Sequence, residues 1–260
     1  MKVSVTKILV IHAHPDDWEI LAGGTLALLS RHPQVSLATV TMTAGDCGTA
    51  EMSADEIAAL RRTEAANAAA LVNADYEWAG FQDLAIFNDD PSRRKVTELL
   101  RKHRADIVIT ANYPDYHCDH EATHLLVRDA CFGASAPNYL CGNAPALDRI
   151  PHLYFMDSTE GIDRDGNKMR PEWTVDVSRA EQEKRAVIAC HESQRAWLAR
   201  QHGMSDYVEL AMEWTRQRGA EAGFAYGEGF RRYRGHPYPQ TPLLEELLQS
   251  LAPLKHHESA

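Results

Sequence analysis

Lys7-Ile8-Leu9-Val10-Ile11-His12-Ala13-His14-Pro15-Asp16-Asp17 decides how the rest of this 260-residue chain is read. Its first half is a short apolar run rich in β-branched residues, which suits a strand buried on both faces, as strands of parallel sheets are. Its second half crowds imidazoles and carboxylates directly behind that strand. Residues 21–29, LAGGTLALL, then read as a helix. A strand, a polar turn and a helix in direct succession are how a wound α/β sheet begins.

Outward from this stretch the alternation continues. Residues 35–42 predict a second strand, 55–71 an Ala-rich helix carrying Arg and Glu, and 76–79 a weak strand. Val96, Leu99 and Leu100 lie at helical spacing within 92–104, residues 105–110 form a third good strand, and 121–132 read as a helix. The pattern holds to about Ser135. It predicts a doubly wound, mostly parallel, Rossmann-like α/β sheet with helices on both faces and right-handed crossovers. The part beyond is less regular. Strands are expected at 153–156 and 173–177, and a helix over 178–193, with Ser178 and Glu181 as a capping box. Another helix is expected at 206–218, loops at 138–151 and 161–171, and a frayed end at 255–260. No linker divides the chain, so a single domain over 1–260 is expected, with its α/β core at about 1–135.

Hydrophobic residues make up 44% and charged residues 25%, ordinary values for a globular protein. The formal net charge of -10 repels phosphate backbones and anionic headgroups, which argues against nucleic acid as the main partner. No apolar run reaches the ~18 residues of a membrane span. Residues 1–7 lead straight into the first strand without a signal-peptide pattern. Five scattered cysteines without a CxxC pair give neither a disulfide framework nor a Cys-rich zinc ribbon, and a reducing cytoplasm is expected.

Two clusters carry chemistry. One is His12-Ala13-His14-Pro15-Asp16-Asp17 after the first strand. The other is His117-Cys118-Asp119-His120, with His124 one helical turn later, shortly after the strand at 105–110. Both fall where the carboxyl ends of parallel strands lie, the edge at which open α/β sheets bind ligands. Two imidazoles and a carboxylate form a common catalytic zinc set, and three protein ligands leave a position open for water. A surplus carboxylate, Asp16, is available as the base, and a surplus imidazole, His117, to steady an oxyanion and protonate a leaving group. The plainer reading of these segments is acidic residues starting a helix and surface histidines.

Several motifs in order resemble the LmbE/PIG-L family of zinc-dependent N-deacetylases. They are His14-Pro15-Asp16-Asp17 with Gly23-Gly24-Thr25-Leu26-Ala27, Thr43-Ala44-Gly45-Asp46-Cys47-Gly48, Arg61-Arg62-Thr63-Glu64 and His117-Cys118-Asp119-His120. Lys184 with Ala186, His191-Glu192-Ser193-Gln194 and Gly227-Glu228-Gly229-Phe230 follow, so the resemblance touches most of the chain. It implies metal ligands at His14, Asp17 and His120, a general base at Asp16, and a residue at His117 that stabilises the tetrahedral intermediate and protonates the amine. It further implies that Arg61 and Asp83 hold substrate hydroxyls, and that the substrate is a small N-acylated amino sugar. Zn2+ is the expected metal, with Fe2+, Co2+ or Mn2+ as chemically admissible substitutes, and a homo-oligomer is the family expectation.

Two departures bear on the pocket. Cys118 stands where family members often have Pro, and Trp18 occupies a position that could alter the pocket wall. His12 and Asp119 are expected behind the ligands, Asp119 gripping a neighbouring imidazole and raising the basicity of His117, or only starting a helix. His124 reads as structural, residues 45–48 as rim, His191 and Gln194 as packing, and Trp173, Trp197 and Trp214 as core, unless a tryptophan at the rim stacks on a sugar. The leading function is removal of an N-acetyl group from an amino-sugar derivative. The alternatives are an amidase for a larger acyl or cysteinyl conjugate, which an apolar pocket lining distinguishes from a small polar one, and a non-catalytic metal- or nucleotide-binding module. Neither GxGxxG nor a P-loop is present.

Overall fold

The computed structural model describes residues 5–202 and 206–257. Strands β1 (Thr6–His12), β2 (Val35–Thr43), β3 (Ala74–Phe81), β4 (Ile107–Thr110) and β5 (His152–Met156) are parallel neighbours in the order β3-β2-β1-β4-β5. Helices α1 (Asp17–Leu29), α2 (Ala54–Leu71), α3 (Asp90–His103) and α4 (Cys118–Ala134) connect them. The chain winds from β1 outward to β3, then returns to β4 on the other side of β1. The crevice between the carboxyl ends of β1 and β4 is therefore the topological switch point.

Strand alternation shows why these segments are strands. Ile8 and Val10 face one core with Ile107, Ile109, Tyr154 and Met156; Leu9 and Ile11 face a second core with Val108, Leu153 and Phe155. Both faces are covered, so the continuous apolar runs have somewhere to be buried on each side.

The less regular part turns out to extend the same sheet. Strand β7 (Gly227–Arg232) pairs antiparallel with both β5 and β6 (Trp173–Asp176), and β8 (Leu254–His256) closes the edge against β6. Residues 255–256 are thus a paired strand rather than a frayed end; residues 258–260 lie outside the described residues. The expected helix over 178–193 is broken. A 3-10 turn (Ser178–Ala180) leads into α5 (Glu181–Ala189), and α6 (Glu192–His202) starts afresh. The expected capping box is not formed, because the Ser178 hydroxyl is engaged by Asp176 and by the backbone N–H of Tyr226. Helices α7 (Tyr207–Ala222), capped by Asp206, and α8 (Leu243–Gln249) complete the layers.

A buried ion pair ties the two halves together. Lys184 Nζ on α5 lies 2.6 Å from Glu228 Oε1 on β7 and also donates to the Ile20 carbonyl. The same carboxylate accepts the backbone N–H groups of Gly24 and Thr25 at 2.8 and 2.7 Å. Both side chains are essentially inaccessible, at 1% and 2%. Gly24 is required here, since a Cβ on it would lie 2.7 Å from the Val177 Cβ.

Candidate metal centre and active-site cavity

His14 and Asp17 sit on the turn between β1 and α1, where Asp16 caps the helix in a left-handed conformation (φ 105). His120 lies in the first turn of α4, whose N-cap is His117. Two helix amino ends thus converge on the switch point between β1 and β4, each adding partial positive charge.

Three donor atoms form a compact triangle. His14 Nδ1 is 3.2 Å from His120 Nε2, Asp17 Oδ1 is 3.4 Å from His120 Nε2, and His14 Nδ1 is 3.8 Å from Asp17 Oδ1. A tetrahedral zinc with bonds of ~2.1 Å needs donors roughly 3.4 Å apart, so the set fits a metal. The outward nitrogens are held as a metal site requires. His14 Nε2 donates to Asp119 Oδ2 (3.1 Å), and His120 Nδ1 to Asp115 Oδ1 (2.8 Å). The electrostatics also call for a cation. Burial opposes charge on His14, yet Asp119 and Asp17 raise its imidazole to about 9, and His120 is raised against burial by Asp17 and Asp115. A divalent ion bound here would replace the protons these carboxylates favour.

The supporting residues differ from expectation in one respect. Asp119 grips His14 rather than His117. It also accepts the backbone N–H of Leu84 (2.8 Å), a residue held at φ 60. The backbone N–H of Asp119 donates to His117 Nδ1 (3.1 Å), so in the neutral ring the proton resides on His117 Nε2. Burial, with His14 and His120 nearby, lowers His117 below its ordinary value. His12, fully buried, bonds the His14 carbonyl through Nδ1 (2.7 Å). His124 donates to the Ala111 carbonyl and packs on the Phe155 ring, away from the triangle. Cys118 is exposed, its thiol nearest Asp119. Trp18 lies in the core at 1% exposure and forms no pocket wall.

A cavity of about 490 Å3 opens over the triangle, and His14, Asp16, Asp17, His117, His120, Arg61 and Asp83 all line it. Arg61 is 4% exposed and donates to the carbonyls of Pro15 (2.6 Å) and Gly45 (3.4 Å), while lying 3.5 Å from Asp16 Oδ2. The same Asp16 oxygen accepts the Tyr207 hydroxyl at 2.8 Å. Burial pushes the Asp16 carboxyl above its ordinary value, against the pull of Arg61 and His191. Asp83 Oδ2 accepts the Cys47 N–H (2.9 Å), while its Oδ1 is buried without a partner. Gln194 lines the cavity rather than merely packing, and so does Trp214. His191 is buried against Glu19 (2.8 Å).

Sequence reading missed Asp115 and Tyr207. Asp115 had a signal, an acid in the loop two residues before His117. Tyr207 had none, because 191 residues separate it from Asp16.

Comparison with known proteins gives the family and the fold. The family model described as PIG-L, GlcNAc-PI de-N-acetylase, matches residues 9–131. The diacetylchitobiose deacetylase of Thermococcus kodakarensis is 27% identical over 201 residues, 73% of this chain and 70% of the relative. The solved N,N'-diacetylchitobiose deacetylase of Pyrococcus horikoshii, in complex with an inhibitor, superposes with a TM-score of 0.74 at 27% identity, covering 92% of this chain and 88% of that one. The 4-carboxy-2-hydroxymuconate hydratase GalB of Pseudomonas putida KT2440 shares the fold, with a TM-score of 0.75 at 22% identity over 91% of this chain and 99% of its own.

Proposed function

This chain carries a PIG-L (LmbE) family domain, and from that premise we propose that it is a metal-dependent hydrolase that removes an acyl group, acetyl in the simplest case, from the nitrogen of an amino-sugar derivative. The observation that carries the reading is the donor triangle of His14, Asp17 and His120, with Asp16 and His117 beside it in one cavity. A divalent metal, zinc foremost, fits those three donors and when bound supplies Lewis-acid polarisation and a more acidic water.

The chain's own groups do the rest. Tyr207 and Arg61 occupy Asp16 Oδ2, which leaves Oδ1 to take a proton from the attacking water. The Nε2–H of His117 donates to the carbonyl oxygen as it gains negative charge. A C–O bond forms, the C–N bond breaks, and the nitrogen receives its proton from Asp16. With Nδ1 occupied as a helix cap, His117 acts as a neutral donor, which refines the proton-delivering role expected of it. Asp83, with one oxygen unpartnered, accepts a substrate hydroxyl, and Arg61 chiefly holds the base and the loop at Gly45.

A pure binding module has no use for a base and a donor flanking three ligands. The five free cysteines support a reducing, cytoplasmic setting, and no described helix is long and apolar enough to cross a membrane.

Metal content of the purified protein, paired with acetate release from N-acetylglucosamine derivatives before and after chelation, tests the proposal. About one equivalent of metal with chelator-sensitive release is expected. A metal-free protein that gains no activity on adding zinc would overturn it.

A further inference from the structure

The cavity over the metal triangle has two unlike walls. One is polar, made by Arg61, Asp83, Gln194 and the Cys47-Gly48 turn. The other is apolar and is assembled from three helices. Helix α7 contributes Leu210, Ala211 and Trp214, which continue from Tyr207 at positions i+3, i+4 and i+7 and so share one face. Helix α1 adds Ile20 and Leu21, one turn beyond Asp16 and Asp17, and α6 adds Leu198, one turn beyond Gln194. From Tyr207 to Trp214 the stripe is about 10 Å long, and the methyl of an acetyl group reaches only its beginning.

The inner part of this lining, Leu21 and Ala211, is core, but its outer edge is not: Leu210 is 50% exposed, and elsewhere around the cavity Leu84 and Tyr116 are 60% and 62% exposed. Large apolar side chains left open to solvent around a single cavity mark a surface that a ligand covers.

Resting on the deacylase reading, we propose that this wall receives the acyl chain of the substrate, and that the preferred chain is apolar and longer than acetyl. An amide carbon at the metal has two substituents, and the cavity offers two walls. The hydroxyl-bearing amine portion matches the polar wall, where Asp83 Oδ1 is buried and unpartnered. The acyl substituent is then directed along α7. The stripe begins at Tyr207, which holds the base Asp16, so a chain lying on it leaves its carbonyl carbon within reach of Asp16.

The test is hydrolysis by the metal-loaded protein of an N-acyl-glucosamine series: acetyl, butanoyl, hexanoyl and octanoyl. Burial of each added methylene is worth about fourfold in kcat/KM, so hexanoyl or octanoyl should exceed acetyl by more than tenfold. Leu210→Gln, at the half-exposed edge of the wall, should lower the octanoyl-to-acetyl ratio by about fivefold or more. A series that is flat or falls from acetyl onward, or an unchanged ratio in Leu210→Gln, overturns this inference and leaves the deacylase reading standing. Failure to cleave any member, with metal bound, overturns the deacylase reading itself.

Discussion

Asp16 and His120 carry different proposed roles, base and metal ligand, and substitution should separate them. In the proposed mechanism Asp16 serves the attacking water and is no ligand, so Asp16→Asn should retain metal while losing on the order of a hundredfold or more in kcat. His120→Ala should lose the metal. If Asp16→Asn lost metal as fully as His120→Ala by elemental analysis, the division of roles would be wrong. Tyr207 holds the same carboxylate by one hydrogen bond. Tyr207→Phe frees that oxygen and should cost about tenfold in kcat, with metal content and KM little changed. An unaltered kcat would remove Tyr207 from the machinery. These assignments were unevenly legible. His14, Asp16, Asp17, His117 and His120, which the structure brings to one cavity, stood out as candidates because they are packed into two short segments of unusual composition. Tyr207 was not, since a tyrosine at the start of a helix looks the same whether it packs or holds a base.

At the scale of elements, the buried Lys184–Glu228 pair joins α5, β7 and the Gly24–Thr25 backbone of α1. Removing one partner strands a charge in a dry site. Lys184→Met should therefore lower the free energy of unfolding in urea by about 3–5 kcal/mol. The double variant Lys184→Met with Glu228→Gln should recover part of that loss, because no lone charge remains. A single variant within 1 kcal/mol of wild type would show that the pair is not a structural tie. Both residues were visible in the sequence as members of separate motifs. Their pairing was not, because contact between positions 44 residues apart in different elements follows from the order of strands in the sheet.

The whole molecule should be sensitive to acid. His124 is buried on α4, and desolvation lowers its imidazole from 6.5 to about 4. The folded state therefore binds fewer protons than the unfolded chain between those values. Stability is full above pH 6.5 and falls as pH drops toward 4, by about 3 kcal/mol for this group. Urea unfolding at pH 7 and pH 4 should show a smaller acid loss for His124→Gln than for wild type. Equal losses would mean that His124 does not titrate as its burial implies.

By itself the sequence determined the α/β winding of the first half, because period and composition are local signals: apolar runs need two covered faces, and Ala-rich segments form helices. It also determined the candidate ligand set, which sits in two compact segments behind strands. The second half misled it. The strand at 227–232 carries two glycines and reads as a motif rather than a strand, and the 178–193 segment breaks where Ser178 finds Asp176 and Tyr226 instead of a helix cap. Only the tertiary structure decided which carboxylate holds which imidazole, that Tyr207 reaches Asp16, and that α1, α6 and α7 build an apolar wall beside the donor triangle. Such facts depend on distances between residues far apart in the chain, and those distances are set by how the strands are ordered and how the helices lie across them.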